Sequence, residues 1–198
     1  MLSLPFKPRQ LTGPLLLLLF IVVAQLFTPD SYKLLAYHRD AITDFQWWRL
    51  FTAHLLHTNL NHLLLNGAGV ILLWAVFGEY YRLRQYLSIV FACALGISVG
   101  LYWQVPELSW YVGLSGVLHG LFVCGAISDI HAGRRSGWLL LIGVAVKVGY
   151  EMQFGGDQTV SALIDARVAV EAHLFGAISG LLISLPTLFY LRADGPSR

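Results

Sequence analysis

Val112 to Phe122 reads VGLSGVLHGLF, a run in which one serine, Ser115, stands between Gly113 and Gly116 amid apolar residues. Whether that serine lies in water or in lipid decides the fold. The chain has 198 residues, of which 57% are hydrophobic and 12% charged, with a mean hydropathy of +0.65. A soluble domain carries about twice that charged fraction, so lipid is the expected solvent. The net charge of +2, with no basic run, excludes a nucleic-acid-binding surface. Cys93 and Cys124 fall in apolar stretches without a CxxC spacing, and read as packing residues rather than a disulfide framework.

Working outward from Ser115, six apolar stretches are expected as helices at about 13–28, 60–78, 86–103, 113–129, 137–150 and 168–190. Several approach the ~20 residues that cross a bilayer core, and the fifth is the shortest. Lipid cannot satisfy free backbone N–H and C=O groups, so each must be helical. The alternation of a membrane β-barrel is absent. The fold class is therefore all-α, a bundle of six transmembrane helices forming a single domain over 1–198. The N-terminal run is read as a retained first helix, since no A-x-A cleavage pattern follows it.

Lys7, Arg9, Arg82, Arg84, Arg134, Arg135, Arg192 and Arg198 fall in one alternate set of connecting segments, and Lys33, Arg39, Arg49 and Arg167 in the other. The positive-inside rule then puts both termini in the cytoplasm. The loops 29–59, 104–112 and 151–167 face outward. Within the first, DFQWWRLFTAHLLHTNLNH packs two tryptophans, an arginine and three histidines into a long connector. Its aromatic residues argue for a segment lying at the membrane interface.

Three elements could carry chemistry. Ser115 follows an outward loop and precedes the fourth helix, while Gly116 and Gly120 form a small-xxx-small packing face. Alone, the motif also suits a small packing residue. His173, in EAHLFGAISG, lies near the outer end of the sixth helix, with Gly176 and Gly180 making a similar face. An ionisable group within a membrane faces a cavity or a partner, and a Ser–His pair within hydrogen-bond reach activates a hydroxyl nucleophile. His62 and Asn66, in HLLLN, share one helix face at i, i+4. They offer either the fixed donors of an oxyanion hole or a polar contact that glues helices.

Taken together, WRLFTAHLLHTNLNHLLLN, GLSG and AHLFGAISG resemble the signature regions of the rhomboid intramembrane serine proteases, in that family's order and spacing, from about Trp48 to Leu188. The resemblance implies Ser115 as nucleophile and His173 as base, a Ser–His dyad with no acid to orient the base. It implies an oxyanion hole of His62, Asn66 and the Ser115 N–H, with Gly113 and Gly116 shaping the turn. Trp48 and Arg49 would match the family's Trp-Arg pair in the outer loop, and His57 a structural histidine. A water-filled cavity open to the outer side would wet Ser115. The expected partners are the bilayer and a membrane-anchored protein substrate, and such chemistry needs no metal or organic cofactor.

One position departs from the family. His119 stands where many members have an aromatic residue that stacks on the catalytic histidine, one turn after Ser115. It is expected to pack on or hydrogen-bond near His173; a rival reading makes His119 the base. The small size, GLSGVLHG and KVGYE look most like the rhombosortase branch, associated with trimming Gly-Gly-type C-terminal anchors of exported proteins in Gram-negative bacteria. That implies the bacterial inner membrane, with the site facing the periplasm. Lys147 and Glu151, at i, i+4, read as a mutual ion pair with a snorkelling lysine, or as a receiver for a substrate's polar end.

Two other classes remain at this stage. His54, His57 and His62 could ligate a metal or haem in a membrane redox protein, although no carboxylate or cysteine completes a shell around them. A catalytically inactive rhomboid-like protein could bind clients instead. A transporter fits least, because paired broken helices are absent.

Overall fold

A computed structural model describes residues 4–193, with side chains of the final helix described through residue 185. In chain order the helices are α1 (Pro8–Leu26), α2 (Asp30–Leu35), α3 (Arg39–Thr43), α4 (Arg49–Thr52), α5 (Leu60–Phe77), α6 (Leu83–Gln104), α7 (Ser115–His131), α8 (Ser136–Phe154), α9 (Gln158–Ile164) and α10 (Val170–Ala193). A 3-10 turn at Ala53–Leu55 and two short strands, β1 (Tyr37–His38) and β2 (Trp110–Tyr111), complete the described elements. The six apolar stretches correspond to the long helices α1, α5, α6, α7, α8 and α10. Among the described residues, α1, α5 and α6 are long and apolar enough to cross a membrane by length and composition. Arg198 lies outside the described residues.

Helix ends differ from the hydropathy limits for local reasons. Helix α1 begins at Pro8 rather than 13, because proline suits the first helical position and Gln10 accepts the Lys7 N–H at 3.2 Å. Helix α6 begins at Leu83, where Gln85 accepts the Arg82 N–H at 3.0 Å. Helix α8 runs to Phe154, past the expected 150, because the Lys147–Glu151 pair lies within its last turns and Gly155, at φ +84°, ends it. Helix α7 starts at Ser115, so Gly113 belongs to the turn before it.

Helix α7 is the centre of the bundle, packed by α5, α6, α8 and α10. Apolar burial does not drive helices together in lipid, so close approach must. The two glycine faces supply it: a Cβ on Gly116 would lie 2.6 Å from the Ala172 carbonyl oxygen, and one on Gly176 would overlap the Gly116 carbonyl. Gly120 and Gly180 repeat the contact one turn further in. Large apolar side chains point outward, among them Leu19 and Phe20 on α1, Leu72 on α5 and Leu139 and Val146 on α8. That exterior suits lipid.

The expected 29–59 connector is a folded cap. Strand β1 pairs antiparallel with β2, Tyr37 opposite Tyr111 and His38 opposite Trp110, tying the first outer loop to the one that leads into Ser115. Arg39 Nη2 donates to the carbonyls of Leu101, Tyr102 and Val105, closing the C-terminal end of α6. Arg49 is buried and donates to the carbonyls of Ala36 (2.7 Å) and Lys33 (2.6 Å), while Trp48 Nε1 donates to Leu34 at 2.9 Å. The Trp-Arg pair thus staples the start of α4 to the C-terminal end of α2 and to Ala36 after it. These long-range polar contacts have no periodic trace in the sequence.

Candidate active site

The turn before α7 is built around Gly113, at φ +136°, a conformation that side-chain-bearing residues avoid. A Cβ there would also meet the His62 ring at 3.0 Å. The Gly113 N–H donates to Ala53, and its carbonyl accepts from the Tyr111 hydroxyl at 2.7 Å. His54 sits fully buried between that carbonyl (3.2 Å), Ser98 Oγ (3.0 Å) and the Ala94 carbonyl (3.1 Å). Burial pushes its imidazole down to about 4. The neighbouring His57 is pushed to about 3 by burial, with His62 adding to it. Both are therefore held neutral, His54 bonded to the turn and His57 packed against the His62 ring.

Ser115 is the first residue of α7, where backbone N–H groups lack intrahelical acceptors and the helix dipole is positive. Its Oγ lies 2.9 Å from Nε2 of His173 on α10. The His119 ring stacks on His173 with centroids 4.2 Å apart and planes 17° apart. His119 Nδ1 bonds the Ser115 carbonyl at 2.8 Å, and Lys147 Nζ donates to its Nε2 at 3.3 Å. Both His119 nitrogens are thus directed away from the Ser115 hydroxyl, a geometry that disfavours the reading of His119 as the base.

His62 and Asn66 lie on α5, both buried. His62 Nδ1 lies against Thr58, 3.4 Å from its N–H and 3.1 Å from its hydroxyl, and Nε2 lies beside Gly113. Asn66 Nδ2 is buried with no hydrogen-bond partner among the described residues. A buried donor left free costs ~1–3 kcal/mol, so it reads as a group held for something that arrives later. Ser115 and His62 line a cavity of about 280 Å³, with Thr58, Trp110, Tyr111 and Val168.

The histidines of the outer loop do not converge on a common point. His54 turns to the Gly113 turn, while His57 and His62 meet edge to face at 5.0 Å. That arrangement does not fit the metal or haem reading.

A family model described as "Rhomboid domain" matches residues 44–189. The chain belongs to the rhomboid family. It is also 25% identical over 159 residues to "Putative rhomboid protease YdcA" of Bacillus subtilis (strain 168), covering 74% of this chain and 73% of that one. The rhomboid fold and the apolar helices make it a multi-pass membrane protein.

One contact was not expected from the family resemblance. Glu151 on α8 pairs with Lys147 at 2.6 Å through Oε1, as the i, i+4 spacing suggested, but its Oε2 lies 2.9 Å from His173 Nδ1. The rhomboid pair expected without an acid has a carboxylate behind it. The KVGYE spacing announced the lysine partner; nothing local announces a partner on another helix.

Proposed function

We propose that this rhomboid is an intramembrane serine endopeptidase in which Ser115 attacks and His173 is the base. The observation that carries it is the 2.9 Å contact between Ser115 Oγ and His173 Nε2, with Ser115 and His62 lining one cavity. The His173 Nε2 lone pair takes the Ser115 proton as Oγ bonds to the scissile carbonyl carbon. The oxygen's developing charge is held by the Ser115 N–H, His62 Nε2–H and the free Asn66 amide. His173 then hands its proton to the leaving amine, and water releases the acyl group by the reverse sequence. Gly113, Gly116 and Gly176 allow the close backbone approaches that set this geometry, and Trp48, Arg49 and His57 hold the cap.

The reading extends to a single domain of six spans, with both termini cytoplasmic and the site opening to the periplasmic side of a bacterial inner membrane. Within the family, the rhombosortase branch is favoured, with C-terminal Gly-Gly-type anchors of exported proteins as substrates. The test is labelling of the detergent-solubilised protein with a fluorophosphonate probe. Labelling of wild type that disappears in S115A and H173A is expected. A folded wild type that stays unlabelled where an active rhomboid reacts would move the client-binding reading to the front.

A further inference from the structure

We propose that Glu151 is a positioning residue for this reaction: its carboxylate, held by Lys147, keeps His173 in the tautomer that can accept the Ser115 proton and stabilises the imidazolium that results. The proposal rests on the protease reading above and deepens it.

The hydrogen-bond directions are mutually consistent. Lys147 has only N–H donors, so its contact with His119 makes His119 Nε2 an acceptor and puts that ring's proton on Nδ1, toward the Ser115 carbonyl. The Glu151 carboxylate can only accept, so His173 carries its proton on Nδ1 and presents a lone pair at Nε2 to Ser115 Oγ. The chain Lys147–Glu151–His173–Ser115 thus runs from an exposed ammonium to a half-buried hydroxyl. Side-chain exposure falls along it from 52% at Lys147 through 13% at Glu151 to 7% at His173. A carboxylate this sheltered acts on the imidazole through a weakly screened field. The His173 ring is then fixed on one edge by Glu151 and on one face by His119.

The other charged and titratable groups set against His173 leave this role to Glu151. Helix α7 contributes Ser115 and His119, α8 contributes Lys147 and Glu151, and α5 contributes His62. Helix α6 meets α10 through the uncharged Gly96 and Gly100. On α10 itself Glu171 is engaged by Arg167. His119, Glu151 and His173 bring one potential ligand atom each within 4.8 Å of one another. However, the cation beside them is the Lys147 ammonium, bonded to both Glu151 and His119. The cluster therefore reads as a proton-handling chain rather than a metal site.

The experiment measures the rate of fluorophosphonate labelling against pH for wild type, S115A, E151Q, E151D and K147M in detergent micelles, with thermal melts to confirm folding. E151Q should label up to about 10⁴-fold more slowly, the order of loss when a base loses its orienting carboxylate. The acid limb of its profile should move to lower pH, because no anion favours the imidazolium. E151D should recover part of the rate. K147M should move the acid limb the other way, since the carboxylate then acts on His173 without its cation. A merely structural ion pair would lower folded protein in both variants and shift neither limb.

A folded E151Q that labels within about threefold of wild type, or with an unmoved acid limb, overturns the proposal while the Ser115-dependent labelling of wild type stands. Should E151Q fail to fold, an unshifted K147M profile overturns it. Unlabelled wild type, or labelling that survives in S115A, overturns the protease reading and the role of Glu151 with it.

Discussion

Lowering the pH should loosen this protein through its outer cap, and His54 and His57 set the size of the effect. Burial holds the folded imidazoles down to about 4 and about 3 respectively, with the Gly113 and Ala94 carbonyls pulling His54 partly back and His62 pushing His57 further. In the unfolded chain each takes up a proton near pH ~6.5. Between those limits the unfolded state binds more protons, so the stability is full above pH ~6.5 and falls as the pH drops toward ~4 and ~3. At pH ~5 each histidine accounts for a loss of about 2 kcal/mol, and the two together about 4 kcal/mol. For a chain of this length that corresponds to roughly 8–16 °C in Tm, about half of it from His57. The assay is tryptophan fluorescence during thermal unfolding in micelles at pH ~7.5 and ~5, for wild type and H57F. The difference between the two pH responses isolates His57 from the other titrating groups. If H57F loses as much Tm on acidification as wild type, the buried-neutral account of this histidine is wrong.

Asn66 should separate activity from stability. N66L removes a buried donor with no partner among the described residues, so the melting temperature should hold or rise, while labelling or cleavage falls about 10²- to 10³-fold as an oxyanion donor is lost. A parallel loss of both would make Asn66 a structural glue residue. G176A should push α10 off α7, since the added methyl meets the Gly116 carbonyl, costing about 1–3 kcal/mol in a thermal melt and abolishing Ser115 labelling by parting the Ser115–His173 contact. R39M should leave the carbonyls at the end of α6 without their donor and lower stability by about 1–3 kcal/mol, read by denaturation in micelles.

Much of the molecule was legible before any coordinate. Hydropathy located six helices because apolar stretches are a local property of the chain, and among the described residues three of them are long and apolar enough to cross a membrane. The glycine pairs at 116/120 and 176/180 announced two close-packing faces, and they meet each other. Ser115, His173, His62 and Asn66 were each visible as polar residues in apolar surroundings, where such residues are costly and need a reason, and His119 stood out through the family resemblance, as a departure from its aromatic.

What the tertiary structure decided concerns groups whose partners lie far away in sequence. The outer loop read as a connector at the interface, and it is a cap closed by β1–β2 pairing and by Arg39 and Arg49 on distant carbonyls. Gly113 was put both inside a helix from 113 and in a turn; its positive φ and the nearby His62 place it in the turn before the helix. Glu151 read as the partner of Lys147, because a helix repeat brings i and i+4 together whatever the rest of the chain does. Its second oxygen reaches His173 because α8 packs against α10 and both pack on α7. A side chain's near neighbours follow from the helix repeat; the carboxylate behind the base follows from how three helices pack.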